Sequence, residues 1–193
     1  MLWLIVVLGY LLGSIPTAYI AGRFVKGVDI RQIGDGNMGA ANAFRQLGAK
    51  VGVAVGIIDA GKGALAILIA QAASLPLVVV LLTGTAVVVG HNWPVFIGFR
   101  GGRGEATTIG VLLTLITQPM LIVGGVAISA IFFTRRVILG QGPFLFIPLP
   151  LVCWWLGVPG MLTAYGIALP CLVGLTHFLR TRHMVNISGK GSA

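Results

Sequence analysis

Apolar residues fall along this chain in long blocks separated by short polar stretches. The first block covers Leu2 to Ala21, the second Val51 to Ala73 and the third Leu75 to Phe99. Ala106 to Thr117, Met120 to Thr134, Val137 to Leu156 and Gly160 to Leu179 follow. A helix needs roughly 20 apolar residues to cross a bilayer. The pattern therefore predicts an all-α, polytopic transmembrane helix bundle of about seven membrane helices. Gln118-Pro119 is expected to be a tight turn between the fourth and fifth blocks, because proline disfavours a helical residue before it. A single bent helix is the alternative there. The polar remainder leaves no room for a separate soluble domain, so residues 1–193 read as one integral membrane domain.

Composition supports this. Of 193 residues, 57% are hydrophobic and only 9% charged, too few charges to cover a soluble domain of this size. The net charge of +9 does not indicate a nucleic-acid partner. Such a binder gathers basic residues on one face of a water-soluble domain, whereas these lie in loops between apolar blocks. Basic loops mark the cytoplasmic side of a membrane protein. Arg23, Lys26, Arg31, Arg45 and Lys50 form one group, then Arg100 and Arg103, Arg135 and Arg136, and finally Arg180, Arg182 and Lys190. These are twelve of the thirteen Lys and Arg residues, and the alternate connections contain none. The expected topology has the N-terminus outside and the C-terminus cytoplasmic. Merging the fourth and fifth blocks would put Arg135 and Arg136 outside, so the charges favour seven crossings. The first twenty residues lack a basic start and read as an uncleaved helix. Cys153 and Cys171 sit in apolar blocks, and His91, His177 and His183 lack the regular spacing of a metal site.

Two polar segments could carry chemistry. Gly34 to Gly39 reads GDGNMG, a formal match to a dinucleotide fingerprint. It follows a membrane helix rather than a strand, so the βαβ context is missing. Glycines nevertheless let backbone N–H groups wrap an anion, and Asn37, Asn42 and Arg45 add donors. An ordinary polar turn remains the alternative. Gly90 to Thr108 reads GHNWPVFIGFRGGRGEATT, where two arginines flank paired glycines beside a helix start. That suits phosphate, because a guanidinium fork binds two oxygens at once. Positive-inside anchoring explains the arginines but not four glycines in the seven positions 98–104. Asp59 and Lys62, three apart on a helix, can share a face as an ion pair or in a functional role.

GDGNMGAANAFR, GHNWPVFIGFRGGRGEAT and HMVNI, in that order, make the whole chain resemble the bacterial acyl-phosphate:glycerol-3-phosphate acyltransferases. These are small, seven-helix inner-membrane enzymes that make lysophosphatidic acid. The resemblance implies multi-pass localisation in the bacterial inner membrane and an active site facing the cytoplasm. It implies acyl transfer from acyl phosphate to the sn-1 hydroxyl of glycerol 3-phosphate in phospholipid biosynthesis. The donor is an activated mixed anhydride, so no cofactor or metal is expected. Residue by residue, Asp35, Gly36, Asn37, Gly39, Asn42 and Arg45 match the first substrate-binding loop. Arg100, Gly101, Gly102 and Gly104 match the second, with Arg103 as a catalytic charge. His183 and Asn186 match the third motif. His183 would be a base or would orient the hydroxyl, and a substrate phosphate oxygen is the alternative proton acceptor. The family usually has serine at Asp35, threonine at Ala41, lysine at Arg100 and Arg103 and an apolar residue at Glu105. Its usual charged tail beyond the third motif is missing. Asp35 is expected to pair with Arg45 or Arg31, or to turn away as a cap. A membrane transporter or channel for an anionic or phosphorylated solute, or a catalytically inactive relative of the acyltransferases, are the rival readings.

Overall fold

The computed structural model describes residues 2–134 and 143–188, with side chains as far as Arg180 except at 143 and 144. The fold is an all-α bundle. The first block becomes α1 (Leu2–Gly13) and α2 (Thr17–Lys26), broken where Pro16 keeps Ile15 out of the helical region. Gly27, at a left-handed φ of 69°, ends α2: its N–H donates to the Arg23 carbonyl and the next N–H, of Val28, to the Gly22 carbonyl. A one-turn helix at Ile30–Gln32 leads to α3 (Ala40–Leu47), then α4 (Ala49–Ala72) and α5 (Leu77–Asn92). After another single turn at Val95–Ile97 come α6 (Glu105–Leu115) and α7 (Thr117–Thr134). Two short helices, α8 (Pro143–Phe146) and α9 (Leu149–Trp155), precede α10 (Gly160–Ser188).

The closest helix pairs are α1 with α5 and α4 with α6. Both depend on glycine. A Cβ at Gly13 would strike the Val87 carbonyl, and one at Gly110 the Ala60 carbonyl. Such small-residue contacts are how helices associate in lipid, where burial of apolar surface supplies no drive. The main core gathers Ile67, Val87, Val88, Val111, Leu112 and Leu149 between α4, α5, α6 and α9. A second core, of Ala18, Ile30, Met38, Ala43, Leu47 and Val55, fastens the first polar segment to α2, α3 and α4. Large apolar side chains point outward: Phe24 is 88% exposed, Phe133 82% and Trp154 79%. In water this surface would aggregate; in a bilayer it is the solvated face.

The expected count of about seven membrane helices needs correction. Among the described residues, five helical stretches are long and apolar enough to cross: Leu2–Lys26, Ala49–Ala72, Leu77–Ile97, Thr117–Thr134 and Gly160–Arg180. The fourth block forms only the 11-residue α6, about 16 Å long against a hydrocarbon core of about 30 Å. The described part of the sixth block is divided into α8 and α9 by bends at Ile147 and Pro148; residues 135–142 lie outside the described residues. The expected turn at Gln118-Pro119 falls instead at Ile116 (φ −133°), between two separate helices. Pro119 sits in the first turn of α7, where a missing N–H costs no hydrogen bond.

Candidate active site

At the end of the bundle where the two polar segments meet lies a cleft of about 700 Å³. Its wall combines residues 29–37, residues 93–103 and the α10 face bearing Thr176 and Arg180.

The first segment is shaped by its own polar groups. Asp29 accepts from the Arg31 backbone N–H at 3.0 Å and takes Arg31 Nη2 at 2.7 Å and Nε at 3.0 Å. The Arg31 hydrogen bonds hold the Asp29 carboxyl below its usual range, and the same bonds raise the arginine. Arg31 Nη1 donates to the Ile97 carbonyl at 3.0 Å and so joins the two segments. Arg31 is therefore engaged with Asp29, not with Asp35. Asp35 Oδ2 lies 2.8 Å from Arg45 Nη2 and 3.8 Å from Arg103 Nη2, while Oδ1 accepts from the Asn37 N–H at 3.2 Å. The expected pairing with Arg45 is present, and the carboxylate also caps its own turn.

Gly36, at φ 65°, takes a left-handed conformation that favours glycine. Asn42 is fully buried. Its Nδ2 reaches the carbonyls of Ile30, Ile33 and Asn37 at 3.0–3.3 Å, and its Oδ1 accepts from the Asp35 N–H at 3.4 Å. Asn42 thus organises the loop from beneath. Gly39 begins α3 as its N-cap. Asn37 lines the cleft, and among the described residues its buried Oδ1 has no hydrogen-bond partner.

The second segment folds back on the end of α5. Gly101 and Gly102 donate their N–H groups to the carbonyls of Asn92 and His91 at 3.1 and 3.0 Å. Gly104, at φ 85°, starts α6. Arg100 and Arg103 both line the cleft. Arg103 also borders a second, mostly apolar cavity of about 350 Å³ between the start of α6, the α8–α9 region and α10. Phe146, Ile147, Ile167, Pro170 and Val173 form much of its wall. Among the described residues, the buried Arg103 Nε has no hydrogen-bond partner. One guanidinium therefore stands where a cleft with charged residues in its wall meets an apolar cavity, with binding capacity unspent.

Arg180, read in the sequence only as a positive-inside charge, proves to be part of the wall. Its guanidinium donates to the carbonyls of Gly101 and Asn92. Asn92 in turn donates to Thr176 Oγ1 at 3.1 Å, so α10 is fastened twice to the second segment. The available signal was spacing: Arg180 lies one helical turn before His183. The α10 backbone continues through Ser188, but the side chains of His183 and Asn186 lie outside the described residues. Among the described residues, no three His, Cys, Asp or Glu side chains stand close enough together to hold a metal ion.

The profile of the family described as "Glycerol-3-phosphate acyltransferase" matches residues 3–189. Glycerol-3-phosphate acyltransferase 4 of Dehalococcoides mccartyi is 52% identical over 93% of this chain and 96% of its own length. Glycerol-3-phosphate acyltransferase 2 of Moorella thermoacetica is 44% identical over 72% of each chain. Two crystal structures of PlsY, described as an integral membrane glycerol 3-phosphate acyltransferase, superpose with TM-scores of 0.82 and 0.79. They are its glycerol 3-phosphate and lysophosphatidic acid forms, each 34% identical and covering 98% of this chain and 92% of theirs.

Proposed function

The chain belongs to the glycerol-3-phosphate acyltransferase family, and from that membership we propose how its cleft carries out the reaction. The enzyme transfers an acyl group from acyl phosphate to glycerol 3-phosphate, giving lysophosphatidic acid and inorganic phosphate. It is a multi-pass membrane protein of lipid metabolism. The finer reading is that residues 1–193 act as one domain with the N-terminus outside, the C-terminus inside and the cleft open to the cytoplasm. Glycerol 3-phosphate and the phosphate end of the donor would meet in the polar cleft. The donor's acyl chain would occupy the apolar cavity beside it.

The donor carbonyl is already activated by its phosphate, so the protein's task is to bring two anions together and orient them. Arg45, Arg100 and Arg103 supply positive charge around the cleft, and Asn37 a polar group in its wall. The sn-1 hydroxyl attacks the acyl carbonyl, the bond to phosphate breaks, and the hydroxyl proton passes to His183 or to a phosphate oxygen. Asn186 would stand one turn further along α10.

The observation that carries this reading is Arg103, bordering both cavities with its Nε unpartnered among the described residues. Purified enzyme given palmitoyl phosphate and labelled glycerol 3-phosphate tests it. Arg103→Ala should lower kcat/KM by about 2–5 kcal/mol, or about 30-fold to several-thousand-fold, with insertion unchanged. A variant near wild-type kcat/KM would reduce Arg103 to an anchoring charge and remove the cleft as the reacting site.

A further inference from the structure

Below the cleft lies a buried polar cluster that the reaction does not use directly. Asp59 on α4 is 1% exposed, Lys62 6% and His91 on α5 7%. Asp59 Oδ1 takes Lys62 Nζ at 2.8 Å and the Thr17 hydroxyl at 2.9 Å, with His91 Nδ1 at 3.5 Å. Lys62 also donates to the Ile15 carbonyl at 3.1 Å, at the break between α1 and α2. Charged groups at this depth are costly and persist only when paired. Here the Asp59 carboxylate holds one imidazole from its Nδ1 side.

The other edge of that ring faces the second polar segment. A Cβ placed on Gly102 would fall on His91 Nε2, 2.8 Å from Cε1 and 2.9 Å from Cδ2. All three nearest atoms belong to the His91 side chain. The same residue's carbonyl accepts the Gly102 N–H at 3.0 Å. Gly102 therefore rests directly on the imidazole, and the next residue is Arg103.

We propose that His91 is a positioning residue for acyl transfer: held by Asp59, itself paired with Lys62, its ring is the floor that sets the height of residues 101–103 and hence where Arg103 meets the two cavities. This rests on reading the cleft as the reacting site. A misplacement of about 1 Å at such a group can cost about 100-fold in rate, so a ring that fixes backbone height is felt in catalysis without touching substrate.

The geometry specifies a rescue experiment. Gly102→Ala puts a methyl group into the ring, and about a 100-fold fall in kcat/KM for glycerol 3-phosphate is expected. His91→Ala removes the three atoms nearest that methyl, so the double variant His91→Ala/Gly102→Ala should recover about tenfold or more over Gly102→Ala alone. Gly101→Ala is the control. Its Cβ would meet the His91 carbonyl, Pro94 and the Asn92 carbonyl, none of which His91→Ala removes, so no recovery is expected. A double variant no better than Gly102→Ala, or equal recovery at Gly101, overturns the proposal. A second measurement needs no glycine variant. If His91 acts through Arg103, adding His91→Ala to Arg103→Ala should cost almost nothing further, whereas full additivity marks a role elsewhere and sinks the idea. Wild-type activity in Arg103→Ala alone would instead remove the cleft assignment, a separate failure.

Discussion

At the scale of single residues, Asp35 places a carboxylate in the wall of the cleft, where a substrate dianion approaches on the function proposed above. Two like charges about 4 Å apart repel by about 1 kcal/mol in water and about 4 kcal/mol in a partly dehydrated site. The structure offsets this by pairing Asp35 with Arg45 at 2.8 Å and by capping the Asn37 N–H. Arg45 is half exposed, so the pair itself contributes at most about 1 kcal/mol. Asp35→Ala loses both the restraint and the cap, and KM for glycerol 3-phosphate should rise up to about fivefold. Asp35→Ser keeps an oxygen for Asn37 and adds a donor for phosphate, so kcat/KM should hold or rise. Loss of activity in Asp35→Ser would break the analogy at this loop and make the carboxylate itself a working group. The placement of these groups is legible in the sequence, where Asn37, Arg100 and Arg103 stand among glycines, and the structure brings all three into one cleft wall. The Asn42 amide is bonded beneath the loop, and an amide's position in sequence does not reveal whether it points into a cleft or under a loop. The sequence does not mark Arg180 as part of the site, because a basic residue at a helix end already has an explanation in membrane topology.

At the scale of helices, apolar blocks reveal burial in lipid but not continuity. The second block matches α4 closely because no proline interrupts it; Asp59 and Lys62 pair within it. The first split at Pro16, and the sixth was divided near Pro148, where apolar side chains conceal bends in the backbone. Pro119 misled in the opposite direction, since proline is as suited to starting a helix as to ending one. The α4 pair gives a test at this scale. Lys62→Met leaves Asp59 buried with only Thr17 and His91, and should cost about 3–5 kcal/mol of stability, read as thermal unfolding in detergent. Asp59→Asn/Lys62→Met removes both charges and should return most of that stability. Activity should nevertheless stay below wild type, because the imidazole has lost its carboxylate. Full activity in the double variant would show that the pair serves folding alone.

At the scale of the whole molecule, the family and the bundle were legible from three motifs in order, while the passage between residues 104 and 160 was not. Five long helices alone would carry the chain across once in that interval, through α7, and leave Arg135 and Arg136 outside. Positive charge on the outer side opposes the usual bias. The alternative is that α6, despite its 11 residues, passes out, α7 returns with the break at Ile116 as the turn between them, and the stretch that carries α8 and α9 passes out again before α10. Small-residue packing supports a buried course for α6: Gly110 meets the Ala60 backbone, and Gly63 the Thr107 carbonyl. A helix sheltered in this way can be short, because neighbouring helices rather than lipid surround its ends. Alkaline phosphatase needs disulfides and matures only outside the cytoplasm, so fusions read the side directly. A fusion after Gly157 should be active and one after Arg136 inactive. Activity after both would mean that α7 alone crosses and α6 only dips into the bilayer. Activity after Arg136 with none after Gly157 would invert the topology and place the arginine-lined cleft outside, away from a cytoplasmic supply of glycerol 3-phosphate.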